Sequence, residues 1–503
     1  MNELKGGAIL NYVTIILNIL MGLVYTPFLL RMLGQSEYGL YSLAASIISY
    51  LTVLDLGFGN AIVRYTAKFK AEGKNEEMRS MFGMFSIIYS FIGIIALVAG
   101  IILTINADKL FGGNMSTTEI ERTQIMLWLM TFNLAFTFPM SIWGSIMTAY
   151  ERFIFQRIIS IIRSILNPAV MIILLFFGYK AVALVVVTTI FNVATLTINY
   201  IYCKKNLKIE FSYKNFKLGL LKEASIYSFW IFLNAIMDRI YWSTGQFILG
   251  MYKGAVSVAI YAVAIQIQHL YTMFSTAVVS VFLPKVTSMV SAKSSEKEIS
   301  DLFVKIGRIQ YIIISYTLCA FILLGREFIY LWAGDGYDSA YTISLLLLCP
   351  LTIPLIQNLG ITILQARNKM KFRSILYIII SLGSLALSIP LTIKYGGIGC
   401  AFATSLALTL GQIIIMNIYY YKKQHINIPL FWKEILKMSI VPFIIVVITF
   451  LVTRQTNIDT YSIFGFIAIA VIFTIIYWPA FWIFSMNKYE KDLVTSFIIR
   501  KRK

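Results

Sequence analysis

Residues 6–30 read GGAILNYVTIILNILMGLVYTPFLL, 25 positions without a charged side chain. A helix rises about 1.5 Å per residue and the hydrocarbon core of a bilayer is about 30 Å thick, so roughly 20 apolar residues suffice to cross it. The run meets that length, exceeds the apolar core of a signal peptide and lacks a small-residue cleavage site, which makes it a retained first membrane helix. The same test, carried outward, places further helices near 38–62, 80–105, 122–149, 155–178, 181–203, 224–249, 256–283, 304–325, 339–365, 373–393, 397–421, 434–453 and 461–485, with the first near 8–30.

Composition agrees. Of 503 residues, 59% are hydrophobic and 13% charged, too few charges to cover the surface of a water-soluble domain. The net charge of +20 could point to nucleic acid. Nucleic-acid binding needs basic residues clustered on one face beside base-reading or stacking side chains, whereas here they punctuate apolar runs, so no nucleic-acid partner is expected. Cys203, Cys319, Cys349 and Cys400 show no CxxC spacing, so neither a metal site nor a disulfide framework is implied.

The basic residues also set orientation. Alternate connections together with the two ends hold 34 of the 43 Lys and Arg. The other connections hold only Arg31, Lys109, Arg122, Lys180, Lys253, Arg326, Lys394 and Arg454, and Arg239 lies within a span. Basic loops stay in the cytoplasm, so the alternation predicts an even helix count with both termini cytoplasmic. The basic fringe, such as Lys204-Lys205 and the stretch from Arg500 to Lys503, also suits anionic membrane lipids.

A duplication at a spacing of about 220 residues organises the chain. Lys70 to Phe82 parallels Ser291 to Phe303, Ala149 to Phe155 parallels Ala366 to Phe372, and Leu33-Gly34 parallels Leu249-Gly250. The expected fold is therefore an all-α integral membrane protein of about fourteen transmembrane helices, with two pseudo-symmetric six-helix lobes and two C-terminal helices. The lobes are placed at 1–203 and 224–421, joined by a cytoplasmic linker at 204–223, with the last two helices and a basic cytoplasmic tail in 422–503. Repeats of this kind are a transporter plan.

An ionisable group at mid-span costs about 2.5–3.5 kcal/mol on insertion scales, which marks the few present as functional candidates. Arg239 either binds an anion or snorkels outward, and its neighbour Asp238 is the ion-coupling candidate. Gln266 and His269 share one face of the eighth helix and either line a cavity or pack. Arg163, followed by Asn167-Pro168, either snorkels to the inner interface or is a second candidate for an anionic substrate. Asn11 and Asn18 share a stripe of the first helix and could line a polar cavity or act as packing groups. Asp55, Gly57 and Gly59 permit a close helix contact or a break, with Asp55 capping the amides a break would expose, and Pro27 is a bend site. Candidate catalytic residues are absent from this set: the outer connection near Asn106 to Glu121 holds Asp108, Glu119 and Glu121 without paired-carboxylate or metal spacing.

The stretch from Gly22 to Gly39 with Leu33-Gly34 and Tyr38-Gly39-Leu40-Tyr41, the run Asp55-Leu56-Gly57-Phe58-Gly59-Asn60-Ala61, and Ala149-Tyr150-Glu151-Arg152 resemble polysaccharide flippases. These are Wzx-like members of the MOP exporter superfamily, related to MATE transporters and peptidoglycan-precursor flippases, and the resemblance covers essentially the whole chain. It implies a bacterial cell-membrane flippase, not an enzyme and without a cofactor. Its cargo would be undecaprenyl-pyrophosphate-linked oligosaccharide repeat units, moved by alternating access from the cytoplasmic to the outer leaflet for capsule, O-antigen or exopolysaccharide synthesis. Coupling to a Na+ or H+ gradient or to the membrane potential, and contact with polysaccharide polymerase or assembly proteins, remain open. The peptidoglycan-precursor flippases carry a cationic pair where this chain has uncharged Tyr25-Thr26, which argues against their cargo. The alternatives are a multidrug exporter of the same superfamily and a membrane glycosyltransferase or polymerase.

Overall fold

The structure, a computed structural model, describes residues 3–216, 218–279, 282–292, 294–367, 369–455 and 459–500. Lys293 and Asn368 of the duplicated motifs and Lys501 to Lys503 of the basic tail lie outside the described residues. Among the described residues every regular element is helical. In chain order these are α1 (Glu3–Leu51), α2 (Phe58–Ala71), α3 (Asn75–Ile105), α4 (Ala107–Phe111), α5 (Thr117–Ala149), α6 (Phe153–Phe176), α7 (Ala181–Lys205), α8 (Leu218–Lys253), α9 (Ala255–Val279), α10 (Leu283–Ser291), α11 (Glu296–Ala333), α12 (Ser339–Ile356), α13 (Leu359–Ala366), α14 (Met370–Leu408), α15 (Met416–Gln424), α16 (Ile428–Gln455), α17 (Ile463–Phe484) and α18 (Lys488–Arg500).

Eleven helical runs among the described residues are long and apolar enough to cross a membrane. Ile9–Ala71, with 63 residues, and Met370–Gln424, with 55, exceed what one crossing needs. Each contains a glycine outside helical geometry, Gly34 at φ 75° and Gly396 at φ 60°. The conformation is open to glycine because it has no Cβ. The α8 helix, which carries Asp238-Arg239, is not among the eleven runs. The chain is thus an all-α, multi-pass membrane protein.

Two compact units make up the chain, Met1–Ala262 with Thr392–Gly397, and Val263–Leu391 with Ile398–Lys503. In the first, the reversal at Gly34 is tied down by Glu37. Its buried carboxylate pairs with Arg122 of α5 and accepts the Ala181 amide that opens α7 at 3.3 Å. A carboxylate there also meets the positive end of the α7 dipole. The α8 helix lies along α1 and α2 through a ladder of polar contacts. Ser49 donates to Ser243 at 3.0 Å, Tyr50 bonds Thr244, Ser228 donates to the Gly57 carbonyl at 3.3 Å and Tyr65 donates to Glu223 at 3.2 Å. Near the other end of the ladder a Cβ on Gly39 would strike the Ala255 carbonyl, so only glycine permits this approach. The segment after α7 docks on the start of α3: the Ser212 amide donates to the Arg79 carbonyl at 3.0 Å, and Phe211 stacks on Trp143 with centroids 4.6 Å apart.

In the second unit α11 is the spine. Its buried Arg308 pairs with Glu434 of α16 and with Glu490 of α18 through Nε at 2.6 Å, and donates to the Ser485 carbonyl at 3.2 Å. Higher on the same helix Tyr311 bonds Ser439, Ser315 bonds Tyr477 and Tyr316 bonds Thr474. Apolar as they are, α16 and α17 are therefore fastened to α11 by specific polar pairs in addition to packing.

Replacing Arg308 with Met strands the Glu490 carboxylate in a buried site. The expected loss is on the order of 3–5 kcal/mol, read as a lower thermal midpoint of the purified protein in detergent, with Glu490→Gln in the same chain recovering part of it. In a background lacking the four cysteines, Ser49→Cys with Ser243→Cys should cross-link on mild oxidation, whereas Ser49→Cys with Ser228→Cys, about four helical turns away along α8, should not.

Candidate polar seam of the first unit

Each of α5, α6 and α7 is mostly apolar, and each carries one stripe of amides, hydroxyls and glycine at helical spacing. On α5 the stripe is Asn133, Thr137, Ser141, Gly144 and Thr148; on α6 it is Gln156, Ser160, Arg163 and Asn167; on α7 it is Thr188, Asn192, Thr195 and Asn199. Steps of three and four residues put each set on one face. Every one of these positions is half-buried, as expected for groups at the rim of a recess and not for groups sealed in a core or turned to lipid.

Contacts join the stripes. Asn192 accepts from Arg163 Nη1 at 3.0 Å and donates its amide nitrogen to Asn133 Oδ1 and Thr137 Oγ1, both at 2.8 Å. Toward the Arg152 end, Gln156 donates to the Gly144 carbonyl at 2.8 Å, and Thr148 donates to Gln156 Oε1 at 3.3 Å. The Asn192 node stands near the middle of all three helices. Arg163 is ten residues into the 24-residue α6, roughly 15 Å along it at 1.5 Å per residue. A guanidinium offers five N–H donors. Among the described residues only Asn192 engages those of Arg163, leaving a cation with donors to spare inside a membrane helix.

The other candidates fall as follows. Asn18 accepts from Ser164, the residue after Arg163, at 3.5 Å, so the structure brings Asn18 and Arg163 into one neighbourhood on the α1 and α6 surfaces. Asn11 is half-buried two turns earlier on α1, and Pro27 is half-buried further along it. At Asp55 the Ile9–Ala71 run breaks: a short 3-10 turn, Thr52–Asp55, is followed by Leu56 and Gly57 at positive φ before α2 begins. The Asp55 carboxylate accepts the Tyr89 hydroxyl at 2.8 Å and the Gly57 amide, so the break is capped from within. Gly59 faces Ser145 and Tyr89, and a Cβ there would sit 3.2 Å from Ser145 Oγ. Asp238 and Arg239 are exposed on α8, which packs chiefly on α1 and α2, and Arg239 has no hydrogen bond or ion pair among the described residues. Gln266 is half-buried and His269 exposed on α9 in the second unit.

Apart from Arg163 and Asn167, sequence reading passes over the members of these stripes, the Asn192 node with Asn133 and Thr137 among them. The signal was present as the 4-3-4 spacing of amides and hydroxyls in otherwise apolar helices. In the second unit two groups of polar side chains pair among themselves. Gln310 donates to Ser275 Oγ at 3.0 Å and Asn358 donates to the same oxygen at 3.3 Å, while Gln357 and Asn417 bond reciprocally. Among the described residues no cluster of His, Cys, Asp or Glu could hold a metal ion.

Residues 4–290 match the polysaccharide biosynthesis protein family. A Shigella flexneri protein named as an O-antigen transporter is 20% identical over 397 residues, covering 78% of this chain and 92% of that protein. The membrane protein EpsK of Bacillus subtilis (strain 168), itself named as uncharacterized, is 20% identical over 416 residues, 81% of each chain. Among solved structures, the lipid II flippase MurJ in an inward closed conformation superposes with a TM-score of 0.71 at 20% identity over 97% of this chain and 99% of its own. An inward-facing multidrug resistance MATE transporter of the MOP superfamily gives 0.56 at 15% identity over 83% and 99%. The helical architecture is thus that of the MOP-superfamily transporters, and with more than half of its length matching the family, the chain belongs to the polysaccharide biosynthesis proteins.

Proposed function

We propose that this protein is a flippase that moves undecaprenyl-pyrophosphate-linked oligosaccharide repeat units from the cytoplasmic to the outer leaflet of a bacterial cell membrane by alternating access, for surface polysaccharide synthesis. The observation that carries the reading is Arg163, a cation with unengaged N–H donors near mid-membrane, set in a seam otherwise made of neutral amides and hydroxyls. A guanidinium matches phosphate oxygens in geometry and charge, and neutral amides and hydroxyls match sugar hydroxyls. The prenyl chain needs no polar site and stays in lipid. A seam centred on Arg163 repels an organic cation, which weighs against a multidrug exporter.

Both termini face the cytoplasm in this reading, as the alternation of basic connections supports. That places the Arg152 end of the seam, with Gln156 and Thr148, on the side where the cargo is made. An anion leaving a negative cytoplasm gains about 2.3 kcal/mol per charge per 100 mV, so the membrane potential alone can favour export. Arg239 on α8 and Asn11 and Asn18 on α1 supply further polar contacts in the first unit, Gln266 and His269 on α9 supply polar contacts in the second, and Asp238 is the group for Na+ or H+ coupling. Anionic lipids hold the basic fringe, and polymerase or assembly proteins take the delivered units.

In proteoliposomes carrying a fluorescent prenyl-diphosphate oligosaccharide, Arg163→Gln should slow the initial flipping rate at least tenfold, since a hydrogen bond to a charged group is worth about 1.5–3 kcal/mol. Undiminished flipping by Arg163→Gln and Arg239→Ala at matched protein level excludes a diphosphate site at these residues. A potential set negative on the side that holds the cargo should raise the wild-type rate. An unaltered rate assigns the driving force to an ion gradient, and then Asp238→Asn should abolish the gradient dependence while leaving downhill exchange.

A further inference from the structure

We propose that the face of α6 carrying Ser160, Arg163 and Asn167 reads the junction between the diphosphate and the first sugar of the cargo. Arg163 takes phosphate oxygens, and Asn167 and Ser160 hydrogen-bond the hydroxyl or acetamido groups of the attached pyranose. The inference rests on the flippase reading above and adds to it which side chains contact the sugar.

Three observations carry it. Asn167 and Ser160 stand four residues after and three residues before Arg163, one helical turn to either side on the same face. A turn is about the width of a pyranose ring, so a phosphate on the guanidinium sets the adjoining sugar against one or the other side chain. Neither Ser160 nor Asn167 has a hydrogen-bond partner among the described residues, and both are half-exposed, so their donors and acceptors are available to a ligand. Next to them Pro168, which has no N–H, leaves the Ser164 carbonyl without its helical donor and adds an acceptor.

Second, the guanidinium is held in place. Asn192 spends its carbonyl on Arg163 and both amide hydrogens on Asn133 and Thr137, so its orientation is fixed from α5. Asn192 is thus a positioning residue that steers Arg163 without touching the cargo.

Third, the duplication supplies an internal control. With Phe155 aligned to Phe372, the positions matching Ser160, Arg163 and Asn167 are Tyr377, Ile380 and Ser384 on α14. All three are buried, at 8%, 6% and 3% exposure. The same face of the same repeat helix is closed and uncharged in one copy, and open with a cation at its centre in the other. Helix geometry common to the repeat therefore does not explain the open polar face of α6.

The test uses full-length protein in detergent and three synthetic probes: farnesyl diphosphate, and the same diphosphate carrying N-acetylglucosamine or glucose. Wild-type protein should bind at least one sugar-bearing probe about tenfold more tightly than farnesyl diphosphate, the effect of one or two hydrogen bonds to otherwise unpartnered groups. Asn167→Leu, close to asparagine in shape, should remove most of that advantage and leave farnesyl diphosphate affinity unchanged, with Ser160→Ala removing a smaller share. Arg163→Gln should weaken all three probes, and Asn192→Ala should do so to a lesser degree. Equal wild-type affinity for the three probes overturns the inference even if no variant folds. A loss of the same size on every probe in Asn167→Leu also overturns it, since the residue then acts through the fold. Wild-type protein that binds none of the probes overturns the flippase reading itself.

Discussion

A polar side chain inside a bilayer has no water to turn to, so it must find a protein partner or border a wet recess. The arrangement of this chain follows from that constraint. Its amides and hydroxyls are gathered into stripes, and the stripes are brought face to face. In the second unit two such meetings are closed: Arg308 is surrounded by Glu434, Glu490 and the Ser485 carbonyl, and Ser275 Oγ accepts from both Gln310 and Asn358 while donating to the Leu355 carbonyl. Groups consumed in this way stabilise helix packing and have nothing left to offer a ligand. In the first unit the stripes of α5, α6 and α7 also meet, at Asn192, yet the α6 stripe keeps most of its capacity unused. The difference between a fastened seam and an open one is the difference between a structural and a binding role.

The fold was largely legible because it depends on quantities that a sequence carries locally. Apolar runs of sufficient length give helices. Where local rules failed, the causes were long-range. The pairs Glu37 with Arg122 and Arg308 with Glu490 join residues far apart in sequence, and no periodicity announces them. The last two membrane helices are almost wholly apolar in sequence, and the single hydroxyls Ser439, Thr474 and Tyr477 help fasten them to α11 beside the Arg308–Glu434 pair.

The candidate site was legible in a different way. Charged residues inside apolar runs stand out, so Arg163, Asp238 and Arg239 were visible at once. Neutral amides do not stand out, because a lone asparagine between helices is common packing material. Only the spacing of Thr188, Asn192, Thr195 and Asn199 separates a stripe from a scatter, and only the contact of three such stripes shows that Asn192 is a node. Asp55 was conspicuous through its glycines, and the structure shows how the carboxylate serves the break: it accepts the Gly57 amide that the lost helical turn would otherwise leave without a partner.

The ladder between α8 and the broken Ile9–Ala71 run bears on which contacts can be released. By sequence duplication α8 opens the second repeat, yet it packs within the first compact unit through Ser243, Thr244, Ser228 and Glu223. Those contacts are hydroxyl to hydroxyl, hydroxyl to carbonyl and hydroxyl to carboxylate. They contain no buried ion pair of the kind that fixes Arg308, whose rupture would cost several kcal/mol. A neutral hydrogen bond contributes about 0.5–1.5 kcal/mol net and one to a charged group about 1.5–3 kcal/mol, so the three neutral rungs can be released step by step in exchange for water, with the Tyr65–Glu223 rung the strongest of the four. The strong pairs lie instead where the chain has reason to stay rigid: at the Gly34 reversal through Glu37, and at the base of α11 through Arg308. In α1 both kinds of contact occur, an ion pair at Glu37 and hydroxyl rungs at Ser49 and Tyr50 more than two turns further on, so one helix is pinned at the Gly34 end and lightly held at the other.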